Sequence, residues 1–353
     1  MSQMEHQNSE RTFRVALTAD FFDIEGNLQF RDVGLSIMEQ QPGLVVVPMD
    51  KFYRCVKPNQ LQGVQAAILM DAGADKETLA DSENLLALAR FGAGYNDIDV
   101  QACTESDVVL FTAAGAVDRS MAEATVGWMI ALGHHFRMKD LLVRTGEWEK
   151  ATRYMGVELR DRTFGSVGLG GIGRATVKLL EGFGMAQPLA FDPFVSPSTA
   201  RELGVRMVSL DELMSGADFV SIHCPLNDMT RDLISQRELS LMRPEAFIIN
   251  TSRGGIVNED ALFHVLEAGV IAGAALDVFV GEPFDTPHRF SALNNVLLAP
   301  HAVGLTHEIF RDMGRTVCQS VVDIALGRRP HSVINLDVFD RPTFQQKWAR
   351  LRL

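Results

Sequence analysis

The 353-residue chain has no apolar run approaching the ~20 residues that a membrane-spanning helix needs. It has only four cysteines, Cys55, Cys103, Cys224 and Cys318, far apart and without a C-x-x-C pair. That spacing signals neither a disulfide framework nor a metal site, and a reduced, cytoplasmic compartment is the expectation. Excess positive charge is also missing. A formal net charge of −12 argues against a nucleic-acid binder, although one local cation would suffice for an anionic substrate. The first residues, MSQMEHQNSER, are polar and lack the apolar stretch of a secretory signal. No internal repeat, low-complexity stretch or G-x-x-x-x-G-K-[ST] phosphate loop is present. What remains is an ordinary globular composition, 46% hydrophobic and 22% charged, which can fill large cores. At ~150 residues per domain the length suggests two domains.

Short apolar runs alternate with helix-like stretches. Phe13–Thr18, Leu44–Val47, Ala66–Met70, Leu85–Arg90 and Val108–Thr112 read as buried strands, with helical character at Phe30–Gln40 and Lys76–Ala80. That alternation predicts a parallel α/β sheet. Ser120–Arg144, rich in Ala, Met and Leu and free of proline, predicts one long helix joining two units. A second series follows. Strands are predicted at Thr163–Leu169, Leu189–Asp192, Phe219–His223, Phe247–Asn250, Ala272–Val278 and Val296–Leu298. Helices are predicted at Ile172–Phe183, after a Ser209–Glu212 capping box, after Asn258, and over Leu305–Leu326.

The sharpest motif is G-x-G-x-x-G at Gly168, Gly170 and Gly173, placed between a strand and a helix. The first glycine permits a tight turn, the second lets a pyrophosphate approach the backbone, and the third lets the helix sit close to the strand. The helix N-terminus offers amides and a positive dipole end to the phosphates. Asp192 ends the next strand 19 residues after Gly173, where an acid would bind ribose hydroxyls and repel a 2′-phosphate. NAD is therefore the expected cofactor, ahead of NADP. Arg174, beside the turn, would offset part of that repulsion.

Three later segments carry chemistry. Arg253 follows a predicted strand and precedes two glycines, a place where a guanidinium fork can grip a carboxylate. Glu282 and His301 each follow a further strand. His134 and His135 read as packing or interface residues and His307 as a helix-face residue, while His6, His264, His288 and His331 carry no motif.

These segments resemble the D-isomer-specific 2-hydroxyacid dehydrogenases. The resemblance rests on GLGGIGR at Gly168–Arg174, HCPL at His223–Leu226, MRPEAFIINTSRGGIVNEDAL at Met242–Leu262, ALDVFVGEP at Ala275–Pro283 and LLAPHAVGLTHE at Leu297–Glu308. It implies two Rossmann-like parallel-sheet domains. An NAD-binding domain at 115–303 would be inserted into a discontinuous flavodoxin-like substrate domain made of 1–114 and 304–353, with the active site in the cleft between them. It implies interconversion of a D-2-hydroxy acid and its 2-oxo acid, with Arg253, Glu282 and His301 catalytic and His301 as acid/base. On the cofactor side it implies Gly168, Gly170, Gly171, Ile172, Gly173, Arg174, Asp192, His223, Cys224, Pro225, Thr230, Thr251, Ser252, Arg253, Asp277, His301 and Gly304. On the substrate side it implies Ala93 and Gly94 with Arg253 and His301. The long helix matches the family's dimer-forming element, which implies a homodimer, and no metal, membrane or nucleic-acid partner is implied. Asn96-Asp97 reverses the family's Asp-Asn order, Ala302–Leu305 departs from its usual pattern, and Met121 replaces a common valine. Two alternatives remain. One is an NAD(H)-binding corepressor-like regulator, although no basic cluster supports it. The other is a formate dehydrogenase-like enzyme, against which Glu282 in place of glutamine argues.

Overall fold

The computed structural model describes residues 12–353; the polar start read above, His6 included, lies outside the described residues. The chain divides into two compact units. One holds the residues up to Val117 together with Thr306–Leu353, and the other is Asp118–Leu305.

The first unit opens with β1 (Phe13–Leu17), α1 (Ser36–Glu39), β2 (Leu44–Pro48), β3 (Ala66–Leu69), β4 (Ala87–Arg90), α2 (Val100–Glu105) and β5 (Val109–Thr112). Its five strands are parallel, in the order β2-β1-β3-β4-β5. β3 and β5 are buried at every position, as parallel strands covered on both faces must be.

The second unit contains α3 (Asp118–Gly133), α4 (Phe136–Thr145), β6 (Phe164–Val167), α5 (Gly171–Leu180), β7 (Leu189–Phe191), α6 (Pro197–Glu202), β8 (Arg206–Met207), α7 (Leu210–Gly216), β9 (Phe219–Ile222), α8 (Gln236–Leu239), β10 (Phe247–Asn250), α9 (Glu259–Glu267), β11 (Gly273–Leu276) and β12 (Val296–Leu298). Its seven parallel strands run β12-β11-β10-β9-β6-β7-β8. The order reverses between β6 and β9, so the glycine turn after β6 stands at the topological switch point, where such sheets bind ligands. Apolar clusters cover both faces: Val220, Ile248 and Leu262 belong to one, and Met129, Phe219 and Ile249 to the other. The capping box forms as expected, Ser209 accepting from Glu212 N–H and Glu212 accepting from Ser209 N–H. Asn258 caps α9 through Ala261 N–H.

α10 (His307–Ala325) and α11 (Pro342–Leu351) return to the first unit. Buried Asn335 fastens this tail to β5: its side chain accepts from Leu110 N–H at 2.8 Å and donates to Val108 C=O at 2.9 Å and Thr104 Oγ1 at 3.0 Å.

The long helix expected at Ser120–Arg144 is broken in two. His135 adopts a left-handed φ of 54° between α3 and α4. The cause lies outside the segment. Val157 N–H donates to Gly133 C=O at 2.8 Å, and a Cβ on Gly156 would stand 2.3 Å from that same oxygen. The crossing strand of chain takes the carbonyl, and the helix stops there. Two smaller expectations are also corrected. Only Ser36–Glu39 of Phe30–Gln40 is helical, and residues 76–80 form turns. The latter segment is organised by Asp75 and Thr78, each accepting the other's backbone N–H.

Candidate active site

The glycine turn is shaped by what surrounds it. Gly168 has φ +96°, and a Cβ there would lie 2.8 Å from Cys224 N. A Cβ on Gly173 would lie 2.7 Å from Gly168 C=O. Gly170, by contrast, has nothing within 4 Å of where a Cβ would be. α5 begins at Gly171 without a side-chain cap, so its first amides face an open, exposed edge. Closed below and open above, the turn fits a dinucleotide's diphosphate. Arg174 Nε donates to Leu169 C=O at 2.9 Å. Asp192 is fixed beside the turn: Oδ2 accepts from Leu169 N–H and Oδ1 from Phe194 N–H, both at 2.8 Å.

The chain after β9 forms the adjoining wall. Both ring nitrogens of His223 are buried without a hydrogen-bond partner, and burial pushes the imidazole down to about 4. It is therefore neutral at physiological pH. Burial pushes the Cys224 thiol up to about 11, so it is no nucleophile. Pro225 is exposed. The Thr230 hydroxyl is spent on the loop itself, donating to Pro225 C=O at 2.6 Å and accepting from Asn227 N–H at 2.8 Å.

Past β10, Thr251 is buried with its hydroxyl unpartnered, and Ser252 Oγ donates to Ile222 C=O at 2.8 Å. The Arg253 backbone is held by Asn250 Nδ2, which donates to its C=O at 2.9 Å. Its guanidinium donates to Ser252 C=O at 2.7 Å. Gly254 abuts Phe279, where a Cβ would meet the backbone at 2.2 Å, so the Arg253 loop rests on the loop that carries Glu282.

Glu282 and His301 meet directly: Glu282 Oε1 lies 2.5 Å from His301 Nδ1, and Glu282 Oε2 accepts from Phe279 N–H at 2.8 Å. Burial pushes the Glu282 carboxyl up. The His301 hydrogen bond, the Phe279 N–H and the charges of His301 and Arg253 outweigh that, and the group lies below the usual glutamate value. It is a carboxylate at neutral pH. His301 has a left-handed φ of 55°, a conformation costing a non-glycine residue on the order of 1 kcal/mol. Asp277 holds it there. Its C=O accepts from His301 N–H at 2.7 Å, and its Oδ1 accepts from Ala302 N–H at 2.8 Å and Val303 N–H at 3.1 Å. Oδ2 takes no part in that grip. Gly304 is buried under Met121, whose sulfur would stand 2.2 Å from a Cβ there.

Sequence reasoning missed the outer support of this loop. Glu259, in the first turn of α9, accepts from Val280 N–H at 2.6 Å and stands 3.6 Å from His288 Nε2. Asp260 pairs with Arg289 at 2.5 Å. Both acids tie the 279–290 segment to α9, and no local pattern in that segment signals it. Ala93 and Gly94 lie in the first unit, in the turn after β4, where Arg90 Nε donates to Gly94 C=O at 3.0 Å. Among the described residues no group of His, Cys, Asp and Glu side chains forms a metal site, and no helix is long and apolar enough to cross a membrane.

Residues 126–303 match the family model described as "D-isomer specific 2-hydroxyacid dehydrogenase, NAD binding domain". The chain is 33% identical over 321 residues to a glyoxylate reductase of Thermococcus litoralis, covering 86% of this chain and 96% of that protein. It is 33% identical over 271 residues to a D-3-phosphoglycerate dehydrogenase of Archaeoglobus fulgidus, covering 77% of this chain and 51% of that protein. Its fold matches an NAD-complexed D-isomer specific 2-hydroxyacid dehydrogenase from Lactobacillus delbrueckii ssp. bulgaricus, with a TM-score of 0.73 at 22% identity, covering 91% of this chain and all of that one.

Proposed function

The chain belongs to the D-isomer specific 2-hydroxyacid dehydrogenase family, oxidoreductases that act on a CH–OH group with NAD, and from that membership we propose how its own residues divide the reaction. The observation that carries the proposal is the contact between Glu282 Oε1 and His301 Nδ1. With Nδ1 engaged by a carboxylate, the ring's other nitrogen, Nε2, is the atom through which His301 exchanges a proton with substrate. Bound NADH supplies the hydride. In reduction, His301 gives its proton to the alkoxide oxygen that develops on the 2-oxo acid, and Glu282 stabilises the charged imidazolium before the transfer. In oxidation, His301 removes the hydroxyl proton as a base. Arg253 orients the substrate carboxylate and draws charge toward the reacting carbonyl. The diphosphate belongs at the Gly168–Gly173 turn, with Arg174 beside it. The adenosine ribose belongs at Asp192, and the adenine side lies along His223, Cys224, Pro225 and Thr230. Thr251, Ser252, Asp277 and Gly304 belong to the nicotinamide side, and Ala93 and Gly94 to the substrate.

Asp192 supports NAD over NADP. The glyoxylate reductase relative supports a small 2-oxo acid such as glyoxylate as the substrate. Phe136, Val143, Trp148 and Met155, exposed on α4 and the segment after it, support a homodimer through this face. The four free thiols support a reducing, cytoplasmic setting. The test is a panel of 2-oxo acids assayed with NADH and NADPH by loss of nicotinamide absorbance. Turnover with NADH and a small 2-oxo acid is the expected result. An equal or higher kcat/KM with NADPH would contradict the cofactor assignment.

A further inference from the structure

Asp118 opens α3, and its carboxyl sits on the first residue of α5. A Cβ built on Gly171 would lie 2.0 Å from Asp118 Oδ2 and 2.7 Å from Oδ1. An acid side chain of this protein therefore occupies the edge of the phosphate cradle itself. That edge attracts anions, because uncapped amides and the positive helix end face it. Nearby charges do not offset the carboxylate. Arg119, next to it on α3, is paired with Glu123. On α5, Arg174 Nε is committed to Leu169 C=O, and Lys178 lies one turn further along the helix. On the adjoining loop, His301 is engaged by Glu282. Burial alone raises the Asp118 carboxyl above the usual aspartate value, with no charged partner contributing.

We propose that Asp118 sets the strength and acid dependence of cofactor binding by competing with the cofactor's diphosphate for the N-terminus of α5. Two anions cannot share one helix end without a cost. On binding, the carboxylate must either swing away or take up a proton. Either route weakens the dinucleotide relative to a neutral side chain, and the second makes binding tighter as pH falls. The proposal deepens the cofactor assignment and rests on it.

The test is calorimetric titration with ADP-ribose and separately with adenosine, which lacks the diphosphate, using the wild type, Asp118→Asn and Asp118→Ser. Both variants should bind ADP-ribose about five- to tenfold more tightly near pH 8, the size of coupling expected for close like charges at a partly exposed site. The gap should narrow as pH falls, because burial raises the carboxyl above the usual aspartate value and it takes up its proton earlier. Adenosine affinity should not move. Unchanged or weakened ADP-ribose binding in both variants would overturn the role of Asp118, and so would an equal gain for adenosine. A wild type that fails to bind ADP-ribose at all would bring down the cofactor assignment first and this inference with it.

Discussion

At the carboxyl ends of the first unit's strands, the polar groups are committed to one another. Asp20, just past β1, accepts from the Thr18 hydroxyl and from Asp71 N–H, and Arg90 donates to the carbonyls of Gly94, Met70 and Phe91. The order β2-β1-β3-β4-β5 puts its own reversal between β1 and β3, and Asp20 bridges the loops that follow those two strands. The second unit treats the same edge differently. The ring nitrogens of His223 and the hydroxyl of Thr251 are buried without partners, and α5 starts uncapped. Glu282 and His301 are coupled to each other at an accessible position. Buried polar atoms without partners are costly. The edge that tolerates them is the one to which the dinucleotide is assigned.

That contrast can be broken by substitution. The largest effect should come from His301→Ala. Loss of the proposed general acid should lower kcat for reduction by about 10²–10⁴-fold while ADP-ribose binding holds. Steady-state kinetics beside calorimetry separates the two. Arg253→Ala should follow, with roughly 2–5 kcal/mol lost from kcat/KM for 2-oxo acids, because a charge-assisted carboxylate contact disappears. An unchanged kcat/KM would remove Arg253 from the site.

The third effect is on stability. The His223 imidazole lies at about 4 in the folded protein and near the usual 6.5 when unfolded. Between those values the unfolded chain binds the extra proton, so folded stability is lost as pH falls from about 6.5 toward about 4. A shift of that size corresponds to about 3 kcal/mol. His223→Gln should flatten this part of the stability–pH curve measured by urea unfolding, and a slope equal to the wild type's would show that another group is responsible. The smallest effect belongs to the first unit. Asp20→Asn weakens its two hydrogen bonds and should cost about 1–2 kcal/mol of stability with kcat nearly unchanged. A large fall in kcat would erase the distinction between the two edges.

Much of the second unit was legible because its constraints are local. A tight turn into a helix demands glycines at fixed intervals, and parallel strands announce their ends by a switch from apolar runs to Arg253, Asp277 or His301. Strand positions in the first unit were legible for the same reason. What escaped depends on distant partners. The break at His135 is imposed by Gly156 and Val157. Asp118 gains its meaning from Gly171, and Glu259 from Val280, and neither pairing leaves a periodic trace. β8, two residues long, carries too little pattern to read.

The central claim is that Glu282 and His301 act as one unit, and a double-variant cycle in the kinetics of reduction tests it most directly. Glu282→Gln keeps the shape and removes the charge beside His301 Nδ1, so kcat/KM for reduction should fall while ADP-ribose binding holds. The double variant with His301→Ala should be no slower than His301→Ala alone. A Glu282→Gln variant as fast as the wild type, or a double variant whose losses add, would contradict the account.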